Sequence, residues 1–320
     1  MKEASTFPFL RNDIDFKDGF LLRLPHVGKH RHAARLLSVE AVLAATTDDG
    51  ARAGEALIAL FQNAIHLADE PLLIPLLATI AIENIGLITL ERILSETDLT
   101  FETIALLEEQ LLTLEQRQRL KNALQGELLN GIELYQRLSS DAQFRNSLLE
   151  DIPAVFGLRF YQLSGLMAKD RFGYLEMMAD YIDLAELSPS RILQIGLPTE
   201  ASSFNPLKGE MLQPVMVPSI NRIFKVSIRS TTFLRAAQIA LAAERFRLAT
   251  GRFPEDLNEL VPDYLEKLPI DPFNPAGNFE WIRENSLYFV RSQGSFESSG
   301  KIIQIEFRLR DSTYTNDSNG

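Results

Sequence analysis

The stretch FRLATGRFPEDLNELVPDYLEKLPIDPF, residues 246–273, decides how the rest of the chain is interpreted. In the residues before it, apolar side chains recur at the spacing of one helix face, which predicts a long helix over 219–250. Gly251 suits the position beyond the helix end, because glycine adopts a positive φ without a Cβ clash. Pro254 prevents the helix from continuing and predicts the start of a short second helix.

The residues after this stretch alternate between apolar and polar side chains, as in strands with one buried face. Strands are predicted over 278–283 and 286–291, with a turn at 284–285. A third strand carries three alternating apolar side chains, Ile303, Ile305 and Phe307. This sheet is expected to cover the second half of the long helix. We therefore expect Phe253→Asp to unfold the module and Arg247→Asp to leave it folded.

The order of these phrases resembles the globular part of the type II secretion major pseudopilin and related pilin-like proteins. The resemblance covers roughly residues 237–296 and includes a Leu-Pro-x-Asp-Pro-aromatic turn at 268–273 and a strand over 288–294 that ends in Ser-x-Gly. The residues that define the module are Gly251, Phe253, Pro254, Asp271 and Pro272. The resemblance implies a long helix with a small antiparallel sheet, and a non-enzymatic role in a secretion or pilus-like apparatus.

Two features of the pseudopilin are missing from this chain. One is the apolar N-terminal membrane helix with its processing site, so under this interpretation an export signal or anchor would precede residue 1. The other is the acidic calcium loop: residues 292–300 contain only Glu297 as an acidic ligand, whereas calcium takes six or more oxygens. We therefore expect a shared module rather than a pilus subunit, and no stabilisation by calcium.

Composition narrows the class of protein further. The net charge is −11 with a pI near 5.0, which argues against general nucleic-acid binding. The apolar run at 72–82 is too short for a membrane span and predicts a buried helix, so the chain as given is expected to be soluble. There is no cysteine, which excludes disulfides and thiolate chemistry. No Gly-rich phosphate loop and no Gly-x-Ser-x-Gly motif occur, and we predict no cofactor.

The first two thirds of the chain predict irregular helical hairpins. Helices are expected over 29–45, 51–68, 72–95, 98–114, 115–138, 140–156 and 166–187. The first two resemble a tetratricopeptide-type hairpin, although no second copy follows at a period of 34 residues. The predicted organisation is a helical domain (1–195), a Pro-rich connection (196–218), a long helix with a small sheet (219–311) and a disordered tail (312–320). The predicted class is thus mainly α, with a pilin-like α+β module.

Two carboxylates lie on apolar helices and are the first candidate site residues. Glu83 lies in the third predicted helix and Glu127 in the fifth. An unpaired buried charge costs several kcal/mol, so each needs a partner. The favoured interpretation is an ion pair with an arginine such as Arg35 or Arg92. The alternative is a pocket between the helices that uses both carboxylates for a cation or for acid–base catalysis.

Histidines are the second group of candidates. His66 lies among apolar neighbours and is expected to be a core or boundary residue, although a place in the same pocket stays open. His26 and His30 are four positions apart and could share a metal, but surface or capping roles are favoured and no metal is predicted.

These observations favour a non-enzymatic extracytoplasmic interaction protein, periplasmic or in the cell envelope, with an unidentified protein partner. The alternatives are an enzyme or ligand-binding protein with the carboxylate pocket, and a helical peptide-binding scaffold.

Overall fold

The protein is described by a computed structural model over residues 10, 12, 14, 22–141, 143–144, 164–198, 208, 210, 213–298 and 301–310. The helices in this part of the chain are α1 Pro25–Thr46, α2 Gly50–Ala68, α3 Leu73–Glu96, α4 Phe101–Gln116, α5 Arg119–Ser140, α6 Leu166–Leu184, α7 Pro189–Ile195 and α8 Gln213–Thr250. A 3₁₀ helix, Leu257–Leu260, and strands β1 Glu280–Glu284, β2 Leu287–Ser298 and β3 Lys301–Arg310 follow. The predicted class, mainly α with a small antiparallel sheet, is confirmed.

Several helix bounds differ from the prediction. The first helix begins at Pro25 rather than at residue 29, since proline fits the first turn, where its missing N–H is not needed. The long helix begins at Gln213, six residues earlier than predicted, and includes Pro218. The turn after Pro254 is a 3₁₀ helix capped by Asp256, not an α-helix. Most of the predicted helix over 140–156, much of the connection over 196–218 and the tail over 312–320 lie outside the described residues.

The helix α3 lies at the centre of the N-terminal array. Among the described residues it is the one helix long and apolar enough to cross a membrane, with a mean hydropathy of 1.9 over 18 residues. However, 67% of that window is buried inside the protein. The helix packs against α1, α2 and α5, and Leu87 and Leu90 are fully buried. Its apolar character is therefore that of a core helix.

The sheet has the strand order β1-β2-β3, and both pairs are antiparallel. The turn between β1 and β2 contains Asn285, which has a φ of 55°. The register between β2 and β3 shifts between Arg291 and Ser295. Ile305 and Phe307 face the core as predicted, but Ile303 does not: it is 41% exposed, because this part of β3 lies beyond the bulge.

The helix α8 connects two hydrophobic cores and is continuous through Thr231 and Thr232. Its second half packs with the sheet and α1–α4 in one core, and its first half packs with side chains of α3, α5, α6 and α7 in the other. The first core includes Phe253, whose ring lies 4.6 Å from that of Tyr288. The C-terminal module is thus packed directly against the N-terminal helices. The division into domains stays a prediction.

Candidate functional site

Glu83 is completely buried and forms the centre of a polar cluster. It forms an ion pair with Arg119, at the start of α5, and accepts a hydrogen bond of 2.8 Å from Ser230 Oγ of α8. The expected type of contact, an ion pair, is present, but the partners named from the sequence were wrong. Arg92 lies nine residues after Glu83, which is about half a turn away around the helix, and pairs with Glu96 instead.

Glu127 is also buried, but its partners are different. Its carboxylate accepts a hydrogen bond of 3.3 Å from the backbone N–H of Leu73 and is hydrogen-bonded to Asn130. Burial raises the pKa of this carboxyl above its ordinary value, and the two hydrogen bonds only partly oppose that shift. The backbone carbonyl of Glu127 accepts a hydrogen bond of 2.7 Å from Tyr174. This glutamate therefore joins α5 to the start of α3 and to α6.

The two glutamates do not share partners. Glu127 bonds to Leu73, the first residue of α3, whereas Glu83 lies ten residues further along that helix, about 15 Å at the rise of an α-helix. The pocket that would use both carboxylates stays a prediction without support from this arrangement.

The histidines His26, His30 and His66 each have a side-chain partner within the protein. His66 is buried, and its Nε2 atom lies 3.0 Å from Gln62 Nε2. His26 pairs with Glu70 at 2.8 Å. His30 Nδ1 lies 2.7 Å from Asn63 Oδ1, and burial lowers its pKa. Within the described ranges, no three His, Asp or Glu side chains are arranged to hold a metal ion.

A cavity of about 210 Å³ lies beside the Glu83 cluster, and sequence reasoning did not identify it. It is a partly open cavity bordered by α3, the α4–α5 junction, the α6–α7 connection with α7, and α8, and its lining includes four cationic side chains: Arg117, Arg119, Lys121 and Arg235. Three of them alternate along the chain at the α4–α5 junction. That spacing was the available signal, but it does not reveal that Arg235 of α8 faces the same space.

In the C-terminal module, the phrases that carry the resemblance come together around Asp271. This buried carboxylate accepts hydrogen bonds from Ser292 Oγ at 2.7 Å and from the backbone N–H groups of Phe273 and Gln293 at 3.0 and 2.9 Å. A Cβ atom on Gly294 would lie 2.3 Å from the Phe273 ring, so this position needs glycine. The Asp-Pro-aromatic turn therefore fixes the Ser-x-Gly segment of β2.

Beyond this point β2 and β3 form a two-stranded ribbon. The pairs from Ser295–Gln304 to Ser298–Lys301 lie past the last residue of β2 that is paired with β1, Arg291. Ile302 and Ile303, adjacent on β3, are 80% and 41% exposed. Because neighbouring residues of a strand point to opposite faces, both faces of the ribbon are open to solvent here.

Searches of the chain against protein-family models, curated proteins and solved structures found no match. The geometry of these sites is therefore the basis of the functional conclusions.

Proposed function

We propose that this protein is a non-enzymatic interaction protein of the cell envelope that contacts a protein partner through the β2–β3 ribbon. The observation that carries the proposal is the projection of residues 295–298 and 301–304 beyond β1, with Ile302 and Ile303 exposed on opposite faces. Exposed strand edges offer unpaired backbone N–H and C=O groups, and partners commonly add a strand there.

The envelope location and the link to a secretion or pilus-like apparatus rest on the resemblance to pilin-like proteins. Its support is local: Asp271 of the Asp-Pro-aromatic turn accepts a hydrogen bond from Ser292 of the Ser-x-Gly phrase, and Gly294 of that phrase lies against the Phe273 ring. This turn holds the base of the ribbon. A rigid base lowers the entropy lost when the ribbon meets a partner, because less of it must be ordered on binding.

The test is site-specific photocrosslinking in the native host. A photoreactive amino acid at Ile302 is expected to give one dominant protein adduct, and the same group at exposed Thr46, the last residue of α1, serves as the matched control. Substitution of Ile303 by glutamate in the Ile302 crosslinking variant is expected to abolish the adduct while leaving the melting temperature unchanged, because the side chain is exposed.

Identification of the adduct and cell fractionation separate the parts of the proposal. An envelope protein of a secretion or pilus-like apparatus as the partner supports the whole of it. A cytoplasmic partner and a cytoplasmic location would contradict the envelope assignment while keeping the ribbon as the contact. Equal adducts from Ile302 and Thr46 would contradict the ribbon itself.

A further inference from the structure

We propose that the cavity between α3, α5, α7 and α8 binds a small organic acid, a carboxylate with a short aliphatic body. This inference does not depend on the proposed function of the ribbon. The cavity has a volume of about 210 Å³, and its walls come from helices that are distant along the chain.

The cationic side of the cavity supplies donors for a carboxylate. Each guanidinium has five N–H donors. Arg119 uses one N–H for Glu83, and Arg235 uses two, for Glu115 and for the carbonyl of Ile270. The carboxylates paired with Arg117 and Lys121 are Asp69 and Glu186, both more than half exposed and outside the lining. Among the ionised groups that face the cavity, cations outnumber the one carboxylate, Glu115.

A hydroxyl group in the wall points to a missing partner. Ser227 lines the cavity, and its Oγ atom is buried without a hydrogen-bond partner among the described residues. Its neighbour Ser230 differs, because that hydroxyl already donates to Glu83. A buried hydroxyl without a partner is unfavourable. Because the Oγ atom has almost no accessible surface, the Ser227 side chain would rotate about χ1 to meet an oxygen of a bound ligand.

The rest of the lining defines the body of the ligand. Aliphatic side chains from three helices face the cavity: Leu76, Ile80, Ile192 and Ile228. An inorganic anion would leave these side chains without contacts, whereas a short alkyl chain would cover them. The volume is below that of a typical site for a drug-sized molecule, about 300 Å³ or more, so a small acid is the class that fits.

The probe is butyrate, titrated into the full chain at constant ionic strength and followed by calorimetry and NMR. We expect saturable one-to-one binding with a Kd of about 1 mM, the range expected for so small a ligand. Ser227→Ala removes the hydroxyl and is expected to weaken binding about tenfold. Lys121→Glu is expected to weaken it at least as much. Lys225→Glu is the matched control, because it changes the net charge equally at an exposed position of α8 outside the cavity.

Four results would overturn the proposal. The first is that butyrate binding does not saturate, and the second is that the uncharged butyramide binds as tightly as butyrate. The third is that inorganic phosphate binds as tightly as butyrate, since this would exclude an organic acid as the preferred ligand. The fourth is that Lys225→Glu weakens binding as much as Lys121→Glu, since this would show a general charge effect rather than a site.

Discussion

Replacement of Arg119 tests whether the Glu83 cluster holds the helical body together. Arg119→Met leaves the Glu83 carboxylate completely buried with Ser230 as its remaining donor. Removing one partner of a buried ion pair destabilises a protein by about 3–5 kcal/mol, because the other charge is stranded. Glu83→Gln should lose less, about 1–3 kcal/mol. In that variant the side-chain amide oxygen can still accept the hydrogen bond from Ser230 Oγ. Arg119 loses its carboxylate partner, but it borders a cavity that admits water, so its charge can be solvated.

The free energies of unfolding would be measured by urea denaturation at neutral pH, followed by circular dichroism. The double variant Glu83→Gln/Arg119→Met should be more stable than Arg119→Met alone, since no charge is left unpaired. Arg92→Met is the matched control: it breaks an exposed ion pair on α3 and should change stability by at most about 0.5 kcal/mol. The reasoning is refuted if Arg119→Met loses less stability than Glu83→Gln, or if the two losses add in the double variant.

Three further predictions concern other parts of the molecule. Phe253→Asp should lower the free energy of unfolding by at least about 3 kcal/mol, because it places a charge against the Trp281 and Tyr288 rings. An unchanged urea midpoint would contradict the packing of Phe253 in this core. Glu127→Gln should stabilise the protein at neutral pH. Burial raises the folded-state pKa of Glu127 above its ordinary value of 4.5, so the stability gain should shrink as the pH falls through that raised pKa and be lost below about 4.5, which urea midpoints across pH 3–8 would show. Millimolar calcium should leave the melting temperature unchanged in the absence and presence of chelator.

The C-terminal module was largely predictable because its signals are local. Gly251 ends the long helix with a φ of 78°, as expected for a residue beyond a helix end. Alternating apolar residues identified the three strands, because the two-residue period of a strand is visible in any short window. The ribbon was not predictable in the same way. Where β1 stops and how far β2 and β3 continue depend on pairing between strands, not on the period of either one.

The environment of a charged residue near a helix end also could not be predicted from the sequence. Arg247 was expected to tolerate replacement by aspartate, but the structure buries it against Glu244 and pairs it with Asp98 of the α3–α4 connection. An aspartate there would face two carboxylates, so Arg247→Asp is not a neutral control. A charged residue near a helix end looks like a surface residue until the neighbouring element is placed.

By itself, the sequence determined the mainly helical class, where the long helix ends, and that Glu83 needs a partner within an apolar helix. Only the tertiary structure decided that this partner is Arg119, 36 positions away, with Ser230 a further donor 147 positions away. The physical reason is that periodicity shows which face of a helix is buried but not which helix covers it. The cavity follows from the same packing, since its walls come from helices that are distant along the chain.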